Sequence, residues 1–230
     1  MMSTNQTTFI ANLAEHLGRK TPTEVTIPTW KHSPQHRVLQ NKTQDELYDV
    51  LQEQCKRINT TCMLTTTADV ANTLQQVITT YGGGPIVAWQ DERFETFGAL
   101  ATLQANETHI WDTKQGRKNI EYANEAMIGI TIADYMLAES GTGVLLSNEN
   151  HGRTVSFLPQ KSIILVPKSA IMPRSTQATN ALRQRIKNGE SVPSCINFIS
   201  GPSNSADIEM ILVVGVHGPM HMTYIVIDDL

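Results

Sequence analysis

Only three cysteines, Cys55, Cys62 and Cys195, occur among the 230 residues. They are too few and too scattered for a disulfide framework. They also fall short of the four thiolates that an iron–sulfur cluster normally takes. Membrane-length runs are missing as well, since none approaches the roughly 18 apolar residues a spanning helix needs. There is no basic excess: 18 Lys plus Arg stand against 22 Asp plus Glu, a net charge of −4, with a pI near 6.0. That balance argues against a general nucleic-acid binder. The first eight residues, Met1 to Thr8, have neither a basic n-region nor an apolar h-region, so no secretion signal is expected and the chain is expected in the cytoplasm. The Asn-x-Thr triplets at Asn5, Asn41, Asn59 and Asn106 are then chance matches in a Thr-rich sequence.

Several catalytic signatures are also missing. No Gly-x-x-x-x-Gly-Lys-Ser/Thr run and no Gly-x-Ser-x-Gly elbow is present. Gly82-Gly-Gly84 follows an expected helix and precedes an expected strand, the wrong side for a dinucleotide turn, so it reads as a helix stop. His32/His36 and His217/His221 have the spacing of zinc-binding helices, but Pro34 and Pro219 lie inside the spacers. Nothing here asks for a metal.

What is present is a regular alternation of strand-like and helix-like segments. Phe9, Leu13 and Leu17 recur at four-residue spacing ahead of Gly18 and predict a short amphipathic helix. A stretch from Arg19 to Pro34, with Pro22 and Pro28 in it, reads as an extended linker. The arm over 1–40 either packs across the domain or clasps a partner. Thr43-Gln-Asp-Glu46 is a capping box that opens a helix with Leu47, Val50, Leu51 and Ile58 on one face. Cys62–Thr65 predicts a strand, and Thr67 opens a helix with the stripe Val70, Leu74, Val77 and Ile78. Ile86–Trp89, His109–Trp111 and Met127–Ile132 predict strands, separated by helices over 91–98 and from Asp112 or Thr113 to about Ala126. A hairpin around 137–146, a strand at Ile163–Val166, a helix at Thr176–Asn188 and strands at Ile211–Val214 and Tyr224–Ile227 complete the set. This is the pattern of an α/β domain over 41–230, built on a mainly parallel sheet with helices on both faces, behind an N-terminal helical arm.

Two loops carry the candidate chemistry. Between the strand-length runs Ile196–Ile199 and Met210–Val214 lies Ser200-Gly-Pro-Ser-Asn-Ser205, followed by Asp207, Glu209 and His217. Polar loops at strand ends are where α/β sheets build sites. Ser200, Gly201, Ser203, Ser205 and Glu209 are therefore candidate ligand contacts, with Asp207 and His217 as acid–base groups. The alternative is a turn joining two buried strands, with Asp207 and Glu209 as caps. In the second loop, Glu139 precedes a Gly-x-Gly turn. It is either a nucleophile beside an anion-holding nest at Gly141, Thr142 and Gly143, or a partner of Arg153 that fastens the hairpin. Arg153 itself suits carboxylate or phosphate recognition, or stands in water. From Lys161 to Asn188 the chain has Lys161, Lys168, Arg174, Arg183, Arg185 and Lys187 and no acid. It is a solvated basic face or a dock for an acidic partner or anionic ligand.

Longer segments carry a resemblance. Trp30-Lys-His, Tyr81-Gly-Gly-Gly-Pro, Asp91-Glu-Arg-Phe, Ile128-Gly-Ile-Thr, Leu137-Ala-Glu-Ser-Gly-Thr, His151-Gly-Arg, Val192-Pro-Ser-Cys-Ile-Asn-Phe, Ser200 to Glu209 and Gly215-Val-His-Gly-Pro occur in the order found in the LutC/YkgG family of lactate-utilization proteins, which carries a LUD domain. The chain resembles that family over nearly its whole length. The resemblance implies a part in L-lactate degradation, the oxidation of L-lactate to pyruvate, as a non-redox subunit beside two iron–sulfur partner subunits. The clusters would then lie in the partners and no cofactor in this chain. It also implies a fold similar to the sugar-isomerase and CoA-transferase group. In CoA transferases of that fold a glutamate before an Asn-Gly turn is the nucleophile. Glu139-Ser-Gly141 is similar, with serine in place of asparagine. A CoA- or acyl-transferring enzyme, or a binder of a small carboxylate or CoA-like ligand, is the second expectation, and whether the chain is itself an enzyme stays open.

Overall fold

The computed structural model describes residues 4–21 and 28–230. Residues 22–27 of the expected linker, Pro22 among them, lie outside the described residues. The chain forms two compact units, residues 1–34 and 35–230. In the first, helix α1 (Thr4–His16) is followed by Gly18 at φ +61°. Its stripe of Phe9, Leu13 and Leu17 is exposed.

The second unit begins with α2 (Gln44–Arg57), whose capping box is complete. Thr43 Oγ1 accepts from the Glu46 N–H at 3.2 Å, and Glu46 Oε2 accepts from the Thr43 N–H at 2.9 Å. Strand β1 (Thr60–Thr65) follows, then α3 (Val70–Thr80) with Val70, Leu74, Val77 and Ile78 buried. The helix starts later than Thr67 because the Thr67 N–H and hydroxyl bond the Asp229 carboxylate instead, at 2.8 and 2.7 Å. Strand β2 (Ile86–Ala88) leads to two short helices, α4 (Arg93–Thr96) and α5 (Leu100–Ala105), where one over 91–98 was expected. Gly98 at φ +81° divides them. After β3 (His109–Ile110), Asp112 caps a single 3-10 turn, and Gly116 at φ +51° breaks the expected long helix before α6 (Lys118–Glu125).

The remaining elements are β4 (Ile128–Ile132), β5 (Tyr135–Leu137), β6 (Thr142–Leu146), α7 (Thr154–Phe157), β7 (Lys161–Pro167), β8 (Ile171–Met172), α8 (Ser175–Lys187), β9 (Ile196–Ser200), β10 (Asn204–Ile208), β11 (Ile211–Val214) and β12 (His221–Ile227). Six strands form the main sheet in the order β1-β12-β7-β4-β2-β3, and every pairing in it is parallel. All of β4 and all but the first residue of β12 are buried, as in a parallel sheet covered on both faces. The expected α/β architecture is thus the observed one. Among the described residues no helix is long and apolar enough to cross a membrane.

Two smaller sheets were not anticipated. One runs β8-β5-β6-β9, with β5 and β9 antiparallel to β6 and β8 parallel to β5. The other is the β10–β11 hairpin. Its apolar strand is not the buried strand the sequence suggested, because Ile211 and Leu212 are 60% and 58% exposed. Glu209 and Met210, at φ +52° and +60°, reverse the chain in a tight turn of the kind that suits antiparallel hairpins. The run therefore pairs with β10 and with neither larger sheet.

Tyr224, in the middle of β12, joins the main sheet to the four-stranded one. Its side chain is fully buried, and its hydroxyl donates to Gly141 O at 2.9 Å while accepting from the Gly201 N–H at 3.2 Å. Burial pushes the phenol pKa up, so it remains a donor. Gly141 is at φ +62°, and a Cβ there would lie 2.6 Å from Ile58 Cδ1. The positive φ favours glycine here, and a larger residue would also have to push the Ile58 side chain aside. Replacing Tyr224 with Phe strands two buried backbone groups at roughly 1–3 kcal/mol each. We expect Tyr224→Phe to lower unfolding stability by roughly 2–4 kcal/mol in urea titrations, and a change under about 0.5 kcal/mol would show that the bridge contributes little.

Candidate functional site

In the main sheet the chain leaves β2 towards β3 on one side and leaves β4 towards β7 on the other. Between the carboxyl ends of β2 and β4 the connections therefore diverge, which opens the crevice where α/β sheets place ligands. Four charged or titratable side chains converge there. Asp91 follows β2, Arg93 opens α4, Asp134 follows β4, and His151 lies on the loop after β6.

Asp91 is the centre of the group, with its side chain 6% exposed. Arg93 donates from Nε to both carboxylate oxygens at 3.0 Å and from Nη2 to Oδ2 at 2.6 Å. The Arg93 N–H bonds Oδ1 at 2.9 Å, and His151 Nε2 lies 3.1 Å from Oδ2. The other edge of the guanidinium reaches Asp134, with Nη1 3.3 Å from Oδ1. Asp134 Oδ2 accepts from the Leu146 N–H at 2.8 Å. One arginine thus bridges two carboxylates from adjacent strands. Burial raises the Asp91 pKa, but the bonds from His151 and Arg93 outweigh it and hold the carboxyl well below the usual carboxylate range. For Asp134 burial wins over the Arg93 charge and the Leu146 N–H, and its pKa is raised.

The loop that delivers His151 is held by two tryptophans. The Trp89 indole stacks on the imidazole at 4.4 Å and 7°, and its N–H donates to Gly152 O at 2.9 Å. Trp111 donates to Glu149 O at 2.9 Å. A Cβ on Gly152 would sit 2.2 Å from the Trp111 ring, so only glycine lets the loop lie this close. Asn148 Oδ1 accepts from the N–H groups of Asn150 and His151, which turns its Nδ2 towards His151 Nδ1 at 3.0 Å. The network assigns the imidazole proton to Nε2, facing Asp91. A cavity of about 480 Å³ opens beside the group, lined by Asp134, Ser147, Asn148, His151, Arg185 and Ser194 among others. Among the described residues no three or more His, Cys, Asp or Glu side chains are arranged to hold a metal ion.

The loops singled out from sequence lie elsewhere. The structure brings Thr142 and Ser200 together as a registered β6–β9 pair with their hydroxyls bonded, and Ser140 bonds Thr142 at 2.6 Å. Gly141, Thr142, Gly143 and Gly201 are buried at this junction, with Gly141 and Gly201 bound to Tyr224. Arg153 is not the partner of Glu139. Arg174 is, with Nε 2.9 Å from Glu139 Oε2, although the N–H is not aimed for a hydrogen bond. Arg153 instead sits 5.8 Å above the Phe157 ring. Ser205 bonds Asp207 within the exposed hairpin, and Glu209 forms its turn. The Ser203 N–H bonds Pro219 O. His217 is exposed and lines a separate cavity of about 590 Å³ with Phe157, Gln160 and Met220. Asp91, Arg93 and Asp134 were missed as site residues. The signal was Asp91-x-Arg93 just past an expected strand, with Asp134 two residues past another.

A model of the LUD domain matches residues 48–227. A "Lactate utilization protein C" of Anoxybacillus flavithermus is 55% identical over 221 residues, covering 96% of this chain and 98% of that protein. A protein of the same name from Geobacillus sp. strain WCH70 is 52% identical over 233 residues, covering 98% and 96%. The crystal structure of a DUF162 family protein from Deinococcus radiodurans superposes with a TM-score of 0.55 at 13% identity, covering 81% of this chain and 99% of that one. That is a likeness of fold.

Asp91→Asn removes the carboxylate that neutralises Arg93. Stability at neutral pH should fall by roughly 2–3 kcal/mol, less than for a fully buried pair because Arg93 is 31% exposed. The folded state keeps Asp91 ionised below the unfolded carboxylate value of about 3.9. Its contribution is thus present above that value and is lost as pH falls through the folded pKa. Asp134 has the opposite sign: its contribution is present at low pH and is lost as pH rises through its raised folded value. The gap between the urea midpoints of wild type and Asp91→Asn should therefore begin to narrow below about pH 4 and go on narrowing as pH falls towards the folded pKa, whereas a gap that stays constant into acid would contradict the assignment.

Proposed function

The chain belongs to the LUD-domain family, and on that premise we propose that it serves L-lactate degradation in the cytoplasm, as a non-redox subunit acting with two iron–sulfur partner proteins. The observation that carries this reading is end-to-end similarity, at 55% and 52% identity, to proteins named for lactate utilization. The thiols of the chain support a division of labour. Cys55 is 1% exposed with the free Cys62 thiol beside it, and Cys195, also free, lies apart against Asn197. Three such thiols do not make the four-thiolate set of a cluster. The switch-point group supports it as well, because both ring nitrogens of His151 and both oxygens of Asp91 are occupied by protein partners. The group is built to hold charges in place. The acyl-transfer alternative has no observation of its own, since Glu139 already faces the Arg174 charge.

The isolated chain should not oxidise L-lactate with an artificial electron acceptor. Expressed together with the two iron–sulfur proteins it should co-elute with them, and its deletion should abolish growth on L-lactate until the gene is restored. Lactate oxidation by the isolated chain, or undiminished growth of the deletion strain, would overturn the proposal.

A further inference from the structure

The cavity of about 480 Å³ at the switch point has one feature that the charged group beside it does not explain. A cation, Arg185 from the last turn of α8, and an anion, Asp134 from the end of β4, both line it, and they are not paired with each other. Arg185 gives its Nε–H to Glu190 Oε2 at 2.9 Å, on an acidic side chain that is itself 48% exposed. A guanidinium carries five N–H donors in a planar fork, so its contacts with a half-exposed glutamate and with the Tyr135 hydroxyl leave capacity for a second carboxylate. Asp134 accepts one bond on each oxygen, from the Leu146 N–H and from Arg93. An ionised carboxylate has about four lone-pair sites, so it can accept another donor from the cavity. The Ser147 and Ser194 hydroxyls and the Asn148 amide add to the polar part of the lining, and Leu146 and Pro193 supply apolar surface.

This pairing of walls restricts the ligand. A dicarboxylate would set its second charge against Asp134, and an amine would set its charge against Arg185. An acid with no hydrogen-bond donor would leave Asp134 facing an oxygen. A carboxylate with a hydroxyl a few bonds away satisfies both walls. The volume falls within the range of small-molecule clefts and leaves room for waters around a three-carbon acid.

We propose that this cavity binds a short 2-hydroxycarboxylate of the lactate class, with Arg185 holding the carboxylate and Asp134 accepting the hydroxyl proton in a hydrogen bond. The three-carbon length rests on the lactate reading of the chain, while the requirement for a carboxylate and a hydroxyl rests on the cavity alone. Discrimination against the 2-oxo acid follows, because a carbonyl offers Asp134 no donor and leaves a desolvated carboxylate unmatched. Glu190 competes with the ligand for Arg185.

Calorimetric and ligand-observed NMR titration of the isolated full-length chain with sodium L-lactate, pyruvate and acetate tests this. L-lactate should bind saturably, with pyruvate and acetate at least about tenfold weaker. Arg185→Gln, checked for native circular dichroism, should weaken L-lactate at least about tenfold, and Glu190→Ala should tighten it severalfold. Absence of saturable binding up to the highest soluble lactate concentration, equal binding of pyruvate, or unchanged affinity in Arg185→Gln would overturn the assignment. Failure here with intact co-elution and lactate growth would leave the subunit reading in place. Binding as described in a chain that is dispensable for lactate growth would leave the cavity assignment and remove that reading.

Discussion

A carboxylate only 6% exposed at Asp91 constrains much of the domain. An ion removed from water at this depth is tolerated only when its lone pairs are met by donors, and here the donors come from separate segments. Arg93 is supplied by α4, two residues on, and His151 by the loop after β6, sixty residues later. Arg93 in turn needs the second carboxylate, Asp134, because one guanidinium spans both. Three loops, after β2 and β4 of the main sheet and after β6 of the four-stranded one, are thereby fixed relative to each other. The 480 Å³ cavity lies between the last of them and α8, and the loop is held there by the His151 contact with Asp91. The tryptophans act on the same loop from outside, through stacking on His151 and bonds to Gly152 O and Glu149 O.

The four-stranded sheet has a second anchorage at Tyr224. Its phenol reaches from a central strand of the parallel sheet to the two glycine turns that open β6 and follow β9. These are the turns whose serines, threonine and glutamate drew attention in the sequence. Their hydroxyls are bonded to each other and their backbones to Tyr224. A run rich in hydroxyls and glycines at strand ends is compatible with a ligand cradle and with a close crossing of two sheets. What separates the two is a partner eighty residues away, which spacing along the chain does not reveal.

The parallel sheet was legible because it rests on local signals. The Thr43/Glu46 capping box, the Val70–Ile78 stripe and the isoleucine-rich run at Ile128–Ile132 each report their own element. The exposed β11 was misread because Ile211 to Val214 has the composition of a core strand, and only the positive-φ pair Glu209 and Met210 shows that the chain doubles back outside the core. Cover for a strand is a tertiary fact, and β-propensity reports only that a segment suits a pleated surface. The site was missed for the same reason. Asp91, Asp134 and His151 look like ordinary loop residues until the strand order β4-β2 places two of them side by side.

The occupancy of His151 bears on what such a site can do. A general base needs a ring nitrogen free to take a proton. Here the Nε2–H donates a hydrogen bond to Asp91 and Nδ1 accepts from an amide whose orientation is fixed by two backbone N–H groups. Freeing Nδ1 would require Asn148 to rotate and abandon both backbone groups. The arrangement therefore spends its histidine on holding a loop, and leaves Asp134 and Arg185 as the groups with hydrogen-bonding capacity towards the cavity. In the proposed complex Arg185 and Asp134 orient the hydroxy acid, and Asp134, not His151, is the group that faces its hydroxyl. That arrangement accords with the proposed role, in which the chain holds a substrate in a fixed orientation.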